Sequence, residues 1–186
     1  MKPNKDIGKW KVLTSERIAN ALWFNVRKEK VQLPSGAIIP DYYVLDYPNW
    51  INVIGLTTEQ EMVMIRQYRH GIEQVNYELA AGVCDPGETP LVSAKRELLE
   101  ETGYGGGQWQ LWATLSANPA THSNLSYSYL ATDLVKIQEQ KLEQTEDISV
   151  HLLKKEEVKL LLLNNQIPQA LHSLSIFPQR TCRPTN

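Results

Sequence analysis

Residues 82–104 read GVCDPGETPLVSAKRELLEETGY. The stretch is a loop, a helix and a stop. Thr89 can cap the helix with its side-chain oxygen, Pro90 suits the first helical position, and Gly103 suits the left-handed residue just past the end. At 100° per residue, Leu91, Val92, Ala94, Leu98 and Leu99 share one broad arc, the expected core face. Glu97, Glu100 and Glu101 share another. Carboxylates at (i, i+3) and (i, i+4) repel one another, and Arg96, placed before Glu100 at the same spacing, offsets only part of that. The pattern suits a hard divalent cation, which takes carboxylate oxygens and keeps positions open for phosphate.

Upstream, residues 77–81 (YELAA) read as a short strand running straight into this loop. Before it, residues 50–56 and 61–69 are apolar enough for central strands, with 57–60 as a polar joint and 70–74 as a loop. Further upstream, residues 10–14, 23–31 and 38–45 are short alternating or β-branched runs, and Leu33-Pro34-Ser35-Gly36 between the last two is a turn signal. They predict a small antiparallel sheet of about three strands. Such a sheet must pack on something, a partner subunit being one candidate. Residues 1–9 are polar and read as loose. Downstream, 105–107 is a flexible glycine connector. Residues 109–116 and 125–134 are strands on either side of a loop opened by Pro119. Residues 136–147 form a charged loop or helical excursion, 148–153 a strand, and 155–164 and 168–174 helices. Strands flanked by a few helices make an α/β or α+β sandwich.

For 186 residues one domain is the default, with room for a small extra element. The net charge of −2 offers no bulk attraction for nucleic acid or an anionic membrane. MKPNKDIGKW at the N-terminus has no apolar leader core, and no apolar run approaches membrane length. Cys84 and Cys182 are the two cysteines, and a chain of this size needs no disulfide, so a reduced, cytoplasmic protein is expected.

The order Gly82, five residues, Glu88, seven residues, then Arg96-Glu97-Leu98-Leu99-Glu100-Glu101-Thr102-Gly103-Tyr104 resembles the Nudix box at every defined position. A solvated acidic helix face would account for the glutamates but not for the two glycines, the arginine and the spacing. Trp10 in Gly8-Lys9-Trp10, the run Gln67-Tyr68-Arg69, residues 77–82 and Pro119 together resemble one branch, the ADP-ribose and nucleoside-diphosphate-sugar pyrophosphatases. The resemblance runs from Gly8 to about residue 175 and is strongest over 50–104. It implies an α/β fold: an α/β/α sandwich with a mixed central sheet, plus a small N-terminal antiparallel sheet. It implies an N-terminal subdomain over 1–46 exchanged within a homodimer, a hydrolase domain over 47–178 and a flexible tail over 179–186. The implied activity is Mg²⁺-dependent hydrolysis of a nucleoside diphosphate sugar to a nucleoside monophosphate and a sugar phosphate, with Mn²⁺ as the alternative ion.

By the same resemblance, Glu97 and Glu101 ligate the ion and Glu100 is a third ligand or orients one. Arg96 holds Glu100 or a neighbouring carboxylate, and the backbone carbonyl near Ala81 is an extra ligand. Gly82 and Gly87 shape the loop. Glu88 braces it or is simply an acid at the helix N-terminus. The attacking water needs a general base within reach. In this branch a Glu from a later loop serves, so Glu146 and then Glu143 are the candidates, against a solvated acidic loop. Arg69 contacts the diphosphate, Glu78 belongs to the active site, and Pro119 marks the branch. Trp10 and Tyr42 stack on the base or are core or interface aromatics. The loop after Pro119, Ala120-Thr121-His122-Ser123-Asn124, lacks the Gly and acidic residues frequent in ADP-ribose enzymes, so ADP-ribose, ADP-glucose and GDP-mannose all stay open. Two other readings stand beside this one. A hydrolase of dinucleoside polyphosphates or other nucleotides is disfavoured by the extra N-terminal sheet. A non-catalytic nucleotide-sugar sensor is disfavoured by the full carboxylate set.

Overall fold

The computed structural model describes residues 7–176. The tail expected over 179–186, Cys182 and residues 1–6 lie outside the described residues. The described residues divide into two compact units, 7–47 with 118–124, and 48–117 with 125–176.

In the first unit, β1 (Lys11–Ala21), β2 (Phe24–Gln32) and β3 (Ile38–Leu45) form an antiparallel sheet with β2 in the middle. The three expected strands are present, but β1 runs on to Ala21 rather than ending near Thr14. Its second half carries no alternating pattern because nearly every β1 side chain is exposed. Backbone pairing with β2, through Arg17↔Arg27, Ala19↔Val26 and Ala21↔Phe24, keeps it extended. Within this sheet only Val26 and Val31 are buried among the described residues. Val12, Ile18, Leu22, Trp23 and Phe24 are exposed. The segment Asn118–Asn124 joins the end of β3: Leu45 N–H donates to Thr121 O at 2.8 Å, and Ser123 N–H to Leu45 O at 3.0 Å.

The second unit runs β4 (Trp50–Thr57), β5 (Met62–Arg69), a 3-10 turn at His70–Ile72, β6 (Gln74–Glu78), β7 (Ala80–Val83), α1 (Pro90–Thr102), β8 (Tyr104–Gly105), β9 (Gln108–Leu115), β10 (Ser126–Lys136), β11 (Ile148–Leu153), α2 (Lys155–Leu163) and α3 (Ala170–Ile176). Its strands form one eight-stranded mixed sheet. β10 lies parallel to β4, while β5 pairs antiparallel with β4, β6 and β11. Alternation sorts the central strands onto two faces. Ile51, Val53, Val63, Tyr129 and Ala131 pack with Ala94 and Leu98 of α1. Ile54, Met64 and Leu79 pack with Val158 of α2 and with Ile167. Helices on both faces of a mixed sheet make the expected α/β/α sandwich.

Helix α1 starts and stops where local chemistry dictates. Thr89 Oγ1 accepts from Val92 N–H at 3.4 Å; a cap of this kind stabilises a helix by about 1 kcal/mol. Gly103 sits at φ 74° and its N–H donates to Leu99 O at 2.8 Å, closing the last turn. The core face differs from the expected arc. Val92 is exposed, and Ser93, Ala94, Leu98, Glu101 and Thr102 are the buried residues of the helix. The buried stripe therefore includes one of the glutamates. Two other expectations are corrected. Residues 77–81 are not one strand: β6 pairs with β5, β7 pairs with β4, and the fully buried Leu79 lies where the chain changes partner. Residues 105–107 are not only a connector, since Gly105 pairs with Val135 across the sheet.

Candidate active site

The packing of Ala94 and Leu98 against the sheet sets the position of every acidic side chain on α1. Full burial of a leucine contributes roughly 1.5–3 kcal/mol. With that face down, Glu97 and Glu101 are carried toward β7. Gly82 on β7 makes room for the first of them, because a Cβ added there would lie 2.1 Å from Glu97 Oε1. Glu101 is held by the next residue along, since Ala81 N–H donates to its Oε2 at 3.0 Å. This bond is made by the Ala81 amide and leaves its carbonyl, the expected extra ligand, as a separate group. Glu101 is 4% exposed. Burial pushes its carboxyl up to about 8, the Ala81 amide pulls the other way, and Glu97 and Glu146 add like charge. Burial also pushes Glu97 up to about 7, against the pull of Arg96.

Arg96 joins the loop to the helix. Its guanidinium donates to Glu97 Oε1 at 3.0 Å, to Glu100 Oε2 at 3.3 Å, to Glu88 Oε2 at 3.0 Å and to the Val83 carbonyl at 3.3 Å. Glu88 also accepts from Ser93 Oγ at 2.7 Å, and its hydrogen bonds with Arg96 hold its carboxyl below the usual range. Glu88 thus connects the loop, the first turn of α1 and Arg96. These contacts tie the loop between β7 and α1 to the helix through charge-assisted hydrogen bonds.

Arg69, at the end of β5, makes a two-pronged contact with Glu78 at the end of β6: Nε to Oε1 at 2.9 Å and Nη2 to Oε2 at 2.6 Å. Gln67 Nε2 lies 3.4 Å from the same Oε2. Glu78 is 2% exposed, whereas close to half of the Arg69 side chain is open to solvent. Arg69, Ala81, Glu101 and Glu146 line one cavity of about 450 Å³. Glu146 comes to it from the loop before β11, with its Oε2 accepting from the Glu143 backbone N–H at 2.8 Å. Glu143 is exposed and does not line the cavity.

Trp10, Tyr42 and Pro119 belong to the first unit. The Trp10 and Tyr42 rings meet edge to face with centroids 5.8 Å apart. The Tyr42 hydroxyl donates to the carbonyl of Ala120, the residue after Pro119. One residue beside the site carried no signal in the sequence. His172 on α3 is 4% exposed, and its Nδ1 stands 3.8 Å from Glu78 Oε2. A lone histidine in a short helix has no spacing or motif that would mark it.

Among the described residues, no group of three carboxylate, imidazole or thiol side chains is arranged as a finished ion site. Arg96 takes an oxygen from each of Glu97 and Glu100, and the Ala81 amide takes one from Glu101. The donor set nonetheless fits a hard divalent cation. Glu97 and Glu101 are a turn apart, sheltered, and raised in pKa by burial, a cost to the ionised carboxylates that an ion bound to their oxygens would offset.

Residues 47–174 match the model of the NUDIX domain, and residues 10–45 match that of the nucleoside diphosphate sugar hydrolase N-terminal domain. The chain is similar to the methanol dehydrogenase activator of Bacillus methanolicus, with 32% identity over 68% of each chain. It is also similar to the ADP-ribose pyrophosphatase of Bacillus subtilis, with 29% identity over 77% of this chain and 76% of the relative. Its fold matches the crystal structure of an ADP compounds hydrolase with a TM-score of 0.81 over 94% of both chains, at 22% identity.

Proposed function

This chain belongs to the NUDIX family, and from that premise we propose that it hydrolyses the pyrophosphate bond of ADP-ribose or a related nucleoside diphosphate sugar. The products are a nucleoside monophosphate and a sugar phosphate. The observation that carries this reading is the cavity that Arg69 lines together with two acids, Glu101 and Glu146. A substrate with a diphosphate at its centre needs a cationic clamp, charge neutralisation and a base for water, and this cavity offers a residue for each. The match of the N-terminal segment to a nucleoside diphosphate sugar hydrolase model, and the names of the relatives, support the substrate class.

In this reading Arg69, aligned by Glu78, grips the diphosphate oxygens. Glu97, Glu100, Glu101 and the Ala81 carbonyl would hold a divalent metal, Mg²⁺ with Mn²⁺ as a substitute. When bound, the ion neutralises the charge that builds up on the phosphoanhydride. Glu146 takes a proton from the attacking water, the water oxygen bonds to one phosphorus, and the bond from that phosphorus to the bridging oxygen breaks, the oxygen and its electron pair leaving with the other phosphate. Arg96 and Glu88 keep the carboxylates aimed. Trp10 and Tyr42 stack on the base, beside the loop that Pro119 opens. The subdomain boundary near residue 46 and an exchanged homodimer belong to the same reading, supported by the exposed apolar run Leu22-Trp23-Phe24. A cytoplasmic setting is supported by the free thiol of Cys84. No helix among the described residues is long and apolar enough to cross a membrane.

The test is phosphatase-coupled turnover of ADP-ribose and GDP-mannose, each with Mg²⁺ and again with chelator. Chelator-sensitive turnover of either is expected. Turnover of a dinucleoside polyphosphate in place of both would overturn the reading of the substrate.

A further inference from the structure

Glu78 depends on Arg69 as much as Arg69 depends on it. The guanidinium occupies both of its oxygens, and at 2% exposure the carboxylate draws almost no hydration from bulk water. For Arg69 to grip a diphosphate, part of its fork must turn away from Glu78. A buried carboxylate that loses a charge-assisted hydrogen bond bears a desolvation cost unless another donor replaces it. Gln67 is one such donor, already 3.4 Å from Oε2.

His172 is the other. Its Nδ1 stands 3.8 Å from the same oxygen, about one ångström beyond a normal hydrogen bond. That nitrogen is buried and has no hydrogen-bond partner among the described residues. Helix α3 holds it in place through polar bonds to the sheet: Ser175 Oγ lies 2.7 Å from Ser128 Oγ, and Trp112 Nε1 donates to the Ser175 carbonyl at 3.1 Å. A buried ring nitrogen without a partner, this near a buried carboxylate oxygen, can donate to it when it carries the ring proton and the gap narrows.

We propose that His172 is a positioning residue for substrate binding. When Arg69 turns one arm of its fork to the diphosphate, His172 closes onto Glu78 through Nδ1–H, and the carboxylate keeps hold of the arm that remains. The inference rests on the reading that Arg69 binds the diphosphate. It requires a neutral imidazole protonated at Nδ1, and burial, which pushes this group down to about 4, keeps it neutral at physiological pH.

Two measurements test it. The first is steady-state kinetics on ADP-ribose with His172→Phe and His172→Asn, each checked for folding by thermal unfolding. The phenylalanine variant is expected to raise KM about tenfold with kcat within about twofold, and the asparagine variant, which keeps an N–H donor, to restore most of that loss. The second is NMR of the wild-type imidazole: on addition of α,β-methylene-ADP, the Nδ1 proton is expected to move downfield as its hydrogen bond forms. An unmoved Nδ1 proton with ligand bound overturns the inference, whether or not the phenylalanine variant folds. So does a folded phenylalanine variant with wild-type KM. If the wild type turns over no sugar nucleotide, or Arg69→Ala leaves KM unchanged, it is the reading of Arg69 that falls and takes the inference with it. An enzyme that needs Arg69 but is indifferent to His172 overturns the inference alone.

Discussion

A Cβ on Gly82 would lie 2.1 Å from Oε1 of Glu97 and 2.2 Å from its carboxyl carbon. The glutamate occupies the space that any other residue at position 82 would fill. One glycine on a strand and one acid on a helix are thus a single fitted pair, and the pairing brings the carboxylate against the β7 backbone.

Gly82→Ala is therefore expected to displace Glu97 rather than to unfold the protein. The obstacle is the far end of a flexible side chain, so the melting temperature should change by a few degrees at most. Displacing a candidate ligand or its support typically costs about 10–100-fold in metal affinity or activity. Titration calorimetry with Mg²⁺ and kcat/KM on the preferred sugar nucleotide check this. Wild-type values for both would show that Glu97 works from another position.

Glu146 and Glu143 should separate cleanly. Glu146 lines the cavity, and Glu143 reaches it only through the backbone N–H it gives to Glu146. Glu146→Gln is expected to lower kcat by about 10²–10⁴-fold, the usual loss on removing a general base. Glu143→Gln keeps the backbone donor and should retain most of the activity. The reverse ranking would move the base to Glu143.

His172 makes stability depend on pH in a defined direction. Its pKa is pushed down to about 4 in the fold, from an ordinary value near 6.5 in the unfolded chain. The unfolded chain therefore takes up a proton that the native state refuses. The contribution is fully present above pH ~6.5 and is lost as pH falls toward 4, to roughly 3 kcal/mol. Denaturant unfolding of wild type and His172→Phe across that range isolates the effect. The gap between them should shift in favour of the variant as the solution is acidified, and a constant gap would mean that the imidazole titrates normally.

The first unit exposes Val12, Ile18, Leu22, Trp23 and Phe24 on a sheet that buries little of its own. A dimer is the expected state at micromolar concentration, measured by light scattering. A monomer there would remove the shared-subunit part of the reading and leave Trp10 without its expected role.

Much of the second unit was legible in the chain. The capping threonine, the proline after it and the closing glycine marked both ends of α1. Strand pairs showed in apolar runs, and the acids showed in their spacing. The remainder was hidden for physical reasons. The second half of β1 is held by backbone pairing to β2, and backbone pairing leaves no trace in side-chain pattern. The change of partner at Leu79 is invisible because a strand reads the same whichever neighbour it bonds. Val92 looked like core by its angle on the helix, but the sheet meets α1 along Ala94, Leu98 and Glu101.

By itself the sequence determined the loop, the helix, its cap and stop, and the order of glycine, arginine and glutamates along them. Those depend on covalent spacing and on turn-by-turn conformational preference, both local properties. Only the tertiary structure decided that Glu97 and Glu101 sit above the ordinary carboxylate pKa, that Glu146 rather than Glu143 lines the cavity, and that the half-exposed Arg69 and the buried His172 both lie against the buried Glu78. Burial and electrostatic coupling depend on which segments pack together, and segments far apart in the chain become neighbours only when it folds.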